Sequence, residues 1–358
     1  MKRILIAFVA FSMFFTGCSR FFSKGHVVDE SIRVGFIYPG EIKDNGYTQA
    51  HDAGRLAIDK IGVRTMYIEN VPKDESAELA ILSLIEQKCN LIYVTSNTYA
   101  DYVYSVAEEY PDVKFAICAG EKTTPNVSCY FGKMYEARYL SGIVAGLKTT
   151  SNKIGYISAF ETPECIRSIN AFTIGVRSVN PDAKVYVRWT NSWDRTVQEE
   201  SKTEGLLAFG CDIITQHQNS TVPIETAEKK GVYSIAYNCA VKSVAPKSYL
   251  TAACFRWDVF ILEDVLNYSK GQWESRFYWE GLEKNLVSLD ELSDSCAPGT
   301  KVVVNDAKKK LIEGKLHVFQ GPLYDDSGNF RLDHDEVLSP SEIWNMDWFV
   351  EGVVVQSY

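Results

Sequence analysis

The stretch RVGFIYPGEIKDNGYTQAHDAGRLAIDKI, residues 33–61, decides the fold. RVGFIY is short, apolar and rich in β-branched and aromatic residues, which predicts a strand. Pro39, Gly40, Asp44, Asn45 and Gly46 then supply turn chemistry, and a helical pattern runs from Gly46 to Ile61. A strand that empties through a polar turn into a helix is the opening half of a βαβ unit. At the helix mouth Tyr47 stands among Asp44, Asn45, Thr48 and Gln49. Such a mouth could serve phosphate binding, catalysis or the capture of a flat, uncharged solute.

The alternation continues outward from this unit. VRTMYIE, NLIYVT and KFAICA read as strands, SAELAILSLIEQ and YADYVYSVAEEY as helices, and NVSCYFG leads into the helix YEARYLSGIVAGLK. The pattern then restarts with KIGYISAF as strand and CIRSINAFTIGVRSV as helix. KVYVRWTNS, CDIITQ and VYSIAYN follow as strands separated by the helices VQEESKTEGLLAFG and VPIETAEKKG. Repeated βα units imply right-handed crossovers and parallel sheets covered by helices, so the fold class is α/β with two Rossmann-like lobes. One lobe is expected from residues 31–150 with about 253–285, the other from 151–252 with about 286–358. Hinges are expected at 148–152 and 249–254, with a third crossing toward the C-terminus. In such sheets ligands bind beyond the carboxyl ends of strands. Here those ends carry Asn, Gln, Ser, Thr, Tyr and Trp with isolated carboxylates, an inventory for hydrogen bonding and stacking.

The chain has 358 residues, 46% hydrophobic and 13% aromatic, enough for a large core, and a net charge of −9. That acidic balance argues against a nucleic-acid polymer as partner, because such binding rests on basic residues neutralising phosphates. The first stretch, MKRILIAFVAFSMFFTGCS, is a separate object. Lys2 and Arg3 precede an apolar run and a Thr16-Gly17-Cys18 ending, the pattern of an export signal over residues 1–18, with a tether over 19–30. The ending resembles a bacterial lipobox, which implies cleavage before Cys18 and a lipid on its thiol; a plain secretory signal is the alternative. The protein would then be anchored to the membrane of the cell envelope on its periplasmic or extracellular face. The other eight of the nine cysteines form no CxxC pair and lie mostly in strand-like runs, so buried free thiols are expected, with one or two disulfides as the alternative.

Several chemistries drop out. There is no GxSxG, HExxH or GxxxxGK(S/T) motif. Glu41 and Asp44 in the opening loop would repel a phosphate. The five histidines are scattered, and only His217 sits at a predicted strand end, flanked by Gln216 and Gln218. No catalytic residue, metal or cofactor is expected. DDSGN, residues 325–329, lacks the alternating ligands of a calcium loop and reads as a tight turn between short strands.

Taken in order, VGFIY, KDNGYTQAHDAGR, CYFGKMYEARYLSGIVAG, NSWDRTVQEE, DIITQHQNS, KKGVYSIAYN, APKSYLTAACFRWD, YWEGL and GPLYDDSGN resemble the basic membrane protein family. These are the purine- and nucleoside-binding lipoproteins of bacterial ABC importers. The resemblance runs from about residue 32 to 329 and implies a type I periplasmic-binding fold, with a ligand held between two hinged lobes and an ABC permease as partner. It implies that Tyr47 and Trp193, one from each lobe, sandwich a flat heterocycle, a contact worth about 1–3 kcal/mol per base. Asp44, Asn45, Ser96, Asn97, Gln216 and His217 occupy further matching positions and are expected to hydrogen-bond the ligand.

Three departures from the nucleoside-binding members bear on ligand choice. Those members carry an Asp, an Asp and a Lys where this chain has Asn238, Cys118 and the segment from Phe255 to Trp257. Losing these charges removes strong partners for ribose hydroxyls, and Trp257 would shrink the pocket. The expected ligand is therefore a free purine base (adenine, hypoxanthine or guanine) in preference to a nucleoside. A sensor that presents ligand occupancy to a receptor, and a nucleoside hydrolase relying on Glu161 or Glu164, are the competing readings.

Overall fold

The computed structural model describes residues 31–356. The export signal, the lipidation at Cys18 and the tether read from the sequence lie outside the described residues. The first run comprises β1 (Arg33–Ile37), α1 (Tyr47–Asp59), β2 (Arg64–Ile68), α2 (Ser76–Glu86), β3 (Leu91–Val94), α3 (Ala100–Glu109), β4 (Lys114–Cys118) and β5 (Val127–Gly132). The second comprises α4 (Met134–Lys148), β6 (Lys153–Ser158), α5 (Pro163–Val179), β7 (Lys184–Trp189), α6 (Thr196–Ala208), β8 (Ile213–His217), α7 (Val222–Lys230), β9 (Tyr233–Asn238) and β10 (Tyr249–Phe255). After these come α8 (Trp257–Ser269), β11 (Phe277–Glu280), β12 (Val287–Leu289) and α9 (Thr300–Ile312). The chain closes with β13 (Leu323–Tyr324), β14 (Phe330–Leu332), α10 (Pro340–Trp344) and β15 (Val353–Val355).

Two sheets result. The first runs β11-β5-β4-β3-β1-β2, parallel throughout. The second runs β12-β10-β9-β8-β6-β7-β15 and is parallel except where β12 pairs antiparallel with β10. In each sheet the strand order reverses beside the first strand of its run, β1 against β3 and β6 against β8. Crevices open at such switch points because successive helices leave to opposite faces. The strands are apolar on both sides, as parallel strands covered by helices must be: β3 and β5 are buried along their whole lengths.

The first passage between the lobes differs from the one expected, while the later ones fall close to the expected boundaries near 253 and 285. Helix α4 packs on α5, α9 and β10 of the second sheet, so the first crossing is at Lys133 and not at 148–152. The reason is helix chemistry: Gly142 of α4 lets the two backbones approach so closely that an added Cβ would lie 2.1 Å from the Phe172 carbonyl oxygen of α5. The second crossing, at Arg256, follows β10, since α8 packs back on α1. The third, 281–286, links β11 to β12. The three crossings are laced together. The Lys133 N–H donates to the Glu280 carbonyl at 2.7 Å, and the Arg256 N–H to that of Leu286 at 2.8 Å.

The DDSGN segment is a turn between β13 and β14, with the Asp325 carboxylate accepting from the N–H groups of Ser327 and Asn329. The eight cysteines among the described residues are all free thiols, six of them buried.

Candidate functional site

Both switch points face one cavity of about 120 Å3 between the lobes. For scale, a dry cavity of roughly 150 Å3 suffices to hold benzene. Its wall is aromatic from both sides, with Tyr47 and Phe131 from the first lobe and Trp193 and Tyr237 from the second. Pro39, Ser96, Asn97, Thr98, Ala119 and Asn219 complete the lining, with Glu164 as its carboxylate and Lys73 exposed on it.

Each ring is positioned by the element that ends beneath it. Tyr47 opens α1, and its hydroxyl donates to the Thr95 carbonyl at 2.6 Å and lies 3.3 Å from Cys118 Sγ. The phenol is thereby tied to the ends of β3 and β4, and burial, first, with Cys118 and Tyr130 adding, pushes its pKa well above the usual tyrosine value. Trp193 follows β7 in a loop held from the end of β8, the next strand but one in the sheet. Asn219 N–H donates to the Trp193 carbonyl at 2.8 Å. Gln218, with its amide nitrogen turned to the loop, reaches the Ser192 and Trp193 carbonyls at 2.8 and 3.1 Å. The indole meets Phe160 and His217 at centroid distances of 5.7 and 6.0 Å.

Glu164 stands in the first turn of α5, where a carboxylate is favoured by the helix dipole. His217 Nε2 lies 3.3 Å from its Oε1. Burial pushes the Glu164 carboxyl up, but the His217 hydrogen bond and the Arg167 and Arg138 guanidiniums outweigh it, and the net shift is downward. His217, fully buried, is pushed down by desolvation against the pull of Glu164. The consistent state is a neutral imidazole donating its Nε2–H to an ionised carboxylate.

The other sequence-derived candidates have different placements. Ser96 and Asn97 join Tyr47 and Trp193 on the cavity wall. Asp44 does not: its carboxylate accepts the N–H groups of Gly46, Thr48 and Gln49 at 2.8, 2.8 and 2.9 Å and closes the start of α1. Asn45, exposed and left-handed at φ 54°, offers its carbonyl to Cys239 Sγ across the cleft at 3.3 Å. Gln216 is buried behind the wall, its carbonyl accepting from Arg138 Nη2 at 2.7 Å. Asn238 is fully buried, donating to the Gln218 carbonyl at 3.2 Å. Trp257 is fully buried and stacked between His51 and Phe255, with ring centroids at 4.6 and 4.3 Å. It backs Phe131 at 6.1 Å and is not itself part of the lining. Sequence reasoning did not name Phe131, Tyr237, Glu164 and Asn219 as site residues, nor Pro39, Lys73, Thr98 and Ala119, all of which line the cavity. Asn219 lies just past the end of β8 and Glu164 at the start of α5 after β6, while Phe131 and Tyr237 are the penultimate residues of β5 and β9, where an aromatic reads equally well as core.

The lobes touch across the cavity mouth. A Cβ added at Gly46 would lie 2.0 Å from the Asn219 carbonyl oxygen, so the halves are closed on each other there.

Two parallel-sheet lobes, three crossings and a cavity at paired switch points define a solute-binding protein of the periplasmic-binding type. Residues 31–319 match the Bmp family, ABC transporter substrate-binding proteins described as PnrA-like, and the chain belongs to that family. It is 33% identical over 328 residues to a purine-binding protein of Brucella abortus, covering 91% of this chain and 93% of that one. It is also 33% identical over 326 residues, 90% of this chain and 81% of the other, to a Haloferax volcanii protein provisionally named as an ABC transporter glucose-binding protein. Among solved structures, an ABC transporter solute-binding protein from Conexibacter woesei superposes with a TM-score of 0.70 at 19% identity, over 80% of this chain and 98% of that one. The protein is thus a solute-binding component working with a permease, not an enzyme. Among the described residues no helix is long and apolar enough to cross a membrane.

Proposed function

We propose that this chain captures a purine, as free base in preference to nucleoside, and delivers it to an ABC permease while tethered by a lipid on Cys18. The observation that carries the reading is the cavity whose walls are rings contributed by both lobes, Tyr47 and Phe131 facing Trp193 and Tyr237. Aromatic faces grip any base through stacking, and rings of this kind lose little rotamer freedom in doing so. A guest touching both lobes favours the closed form and shifts the population toward it, so the permease can tell loaded from empty protein by shape.

The relative named for glucose supplies the competing ligand. A sugar asks for several side chains paired around its hydroxyls; this wall carries Ser96, Asn97, Thr98, Asn219, Lys73 and Glu164 as polar groups, but the four aromatic rings, two from each lobe, favour a flat guest. A thermal-shift and calorimetric panel of adenine, hypoxanthine, guanine, adenosine, inosine and glucose separates the readings. A ligand at 100 times its Kd adds about 2.7 kcal/mol of stability. Tighter binding of nucleosides than bases rejects the base preference, and binding of glucose alone rejects the purine. Replacing Cys18 with Ala should release the protein from the membrane fraction; retention there would reject the anchor.

A further inference from the structure

Glu164 is set up as a hydrogen-bond acceptor by everything packed behind it. Its Oε1 takes the His217 Nε2–H at 3.3 Å, while Oε2 accepts no hydrogen bond among the described residues. Two guanidiniums lie near, yet neither lines the cavity. Arg138 is fully buried, sits 4.2 Å from the centroid of Tyr237 and donates to the Gln216 carbonyl. Arg167 is buried, sits 5.8 Å from the centroid of Phe131 and donates to the Trp344 carbonyl at 3.0 Å. The two guanidiniums therefore stand among the rings that form the walls, and what the lining offers a guest is aromatic rings, the neutral polar side chains of Ser96, Asn97, Thr98 and Asn219, and the Glu164 carboxylate. Lys73, the cation of the lining, is exposed to solvent and screened. An ionised carboxylate accepts and never donates.

From this geometry we propose that Glu164 is the specificity-determining residue of the cleft: its Oε2 accepts a ring N–H of a neutral planar heterocycle, and the same charge turns away anionic guests, nucleotides and urate included. This rests on the purine reading above and sharpens it. A purine with its edge against Glu164 must present a donor there. His217 is a positioning residue, fixing which carboxylate oxygen remains for the ligand.

The test is calorimetry on the full chain with hypoxanthine and its 1-methyl, 7-methyl and 9-methyl derivatives, urate and inosine monophosphate, in wild type and Glu164→Gln. A charge-assisted hydrogen bond corresponds to about 10- to 150-fold in affinity, and that loss is expected for hypoxanthine in Glu164→Gln. One methylated derivative should lose as much in wild type, and little more when combined with the variant, because both changes remove the same contact. A merely structural carboxylate would not show that non-additivity. Urate and inosine monophosphate should bind at least tenfold more weakly than hypoxanthine to wild type and regain ground in Glu164→Gln. Equal hypoxanthine affinity in wild type and variant, additive losses, or a preferred anion would each overturn the proposal. If Glu164→Gln folds poorly, as read by its melting temperature without ligand, Glu164→Asp and the methyl series on wild type decide: three derivatives all binding like hypoxanthine overturn it. Should purines fail altogether while uracil or nicotinamide binds, the purine reading falls and Glu164 is judged on that ligand, a tenfold loss in the variant supporting it and none overturning it. Silence across all these compounds overturns both.

Discussion

Replacing Gly46 with Ala should hold the cleft ajar. The new methyl would sit 2.0 Å from the Asn219 carbonyl oxygen, where side-chain carbons do not come within 3.0 Å of such an atom, so the mouth must open by about 1 Å. Neither partner can yield by rotating a side chain, because the Asn219 atom is backbone and its N–H is committed to Trp193. Opening there also draws Cys239 from the Asn45 carbonyl, a 3.3 Å contact across the same mouth. The ligand would keep Tyr47 but lose full contact with Trp193 on the far side. Stacking of one base is worth about 1–3 kcal/mol, so affinity for the preferred purine should fall about 5- to 160-fold. Small-angle scattering with and without ligand would show a loaded Gly46→Ala protein remaining wider than loaded wild type. Thermal melting without ligand isolates any cost at the start of α1, where Ala is a poorer cap than Gly. If the variant binds within twofold of wild type and contracts equally on loading, the mouth contact does not govern closure and the reasoning fails.

Further outcomes can be checked on the same preparations. Trp193→Ala should weaken purine binding by a similar 5- to 160-fold, whereas Tyr47→Phe keeps its ring and loses the 2.6 Å bond to Thr95 and the 3.3 Å contact with Cys118 Sγ. It should therefore cost about 1 kcal/mol in urea unfolding and less than threefold in calorimetric affinity. The pH profile of stability should carry a signature of Glu199, fully buried on α6, bonded to the Ser220 hydroxyl and raised to about 7 by burial, with Asp194 adding and Ser220 opposing. A raised carboxyl binds its proton more tightly in the folded state, so its contribution declines as pH climbs from about 4.5 to 7. His51, lowered to about 3 by burial, acts in the other direction, its contribution being lost as pH falls from 6.5 toward 3. Melting temperatures of Glu199→Gln should drop more steeply than wild type on acidification through this range; parallel profiles would refute the assignment.

Local pattern made the alternation of strands and helices readable, because strand cores such as LIYV and helix faces such as that of α5 state their burial in the order of their own residues. The lobe crossings were less readable. Tyr139, Leu140, Ile143 and Val144 show that α4 is a buried helix but not which sheet covers it. The deciding contact, Gly142 against Phe172, joins segments thirty residues apart. At the site, the family resemblance, applied to residues at strand ends, led to Tyr47, Trp193, Ser96 and Asn97, all on the cavity wall. It could not separate residues facing the cavity from those spent locally. Asp44 in the loop and Trp257 in the core carry equally suitable chemistry, yet one caps a helix and the other is sealed by His51 and Phe255. Glu164 pairs with His217, 53 residues away, and that pairing exists only once β6 and β8 lie side by side.

The placement of β11 at the rim of the first sheet has a consequence for biogenesis. Its four residues, Phe277–Glu280, are made after the five strands β6 to β10 of the other half, yet they alone cover the flank of β5. Until the ribosome has passed them, the N-terminal half displays a bare strand that is buried along its whole length in the finished protein. Such edges recruit other chains. A nascent or truncated molecule ending short of this point needs a holdase, or rapid passage out of the crowded cytosol, in a way that the finished protein does not.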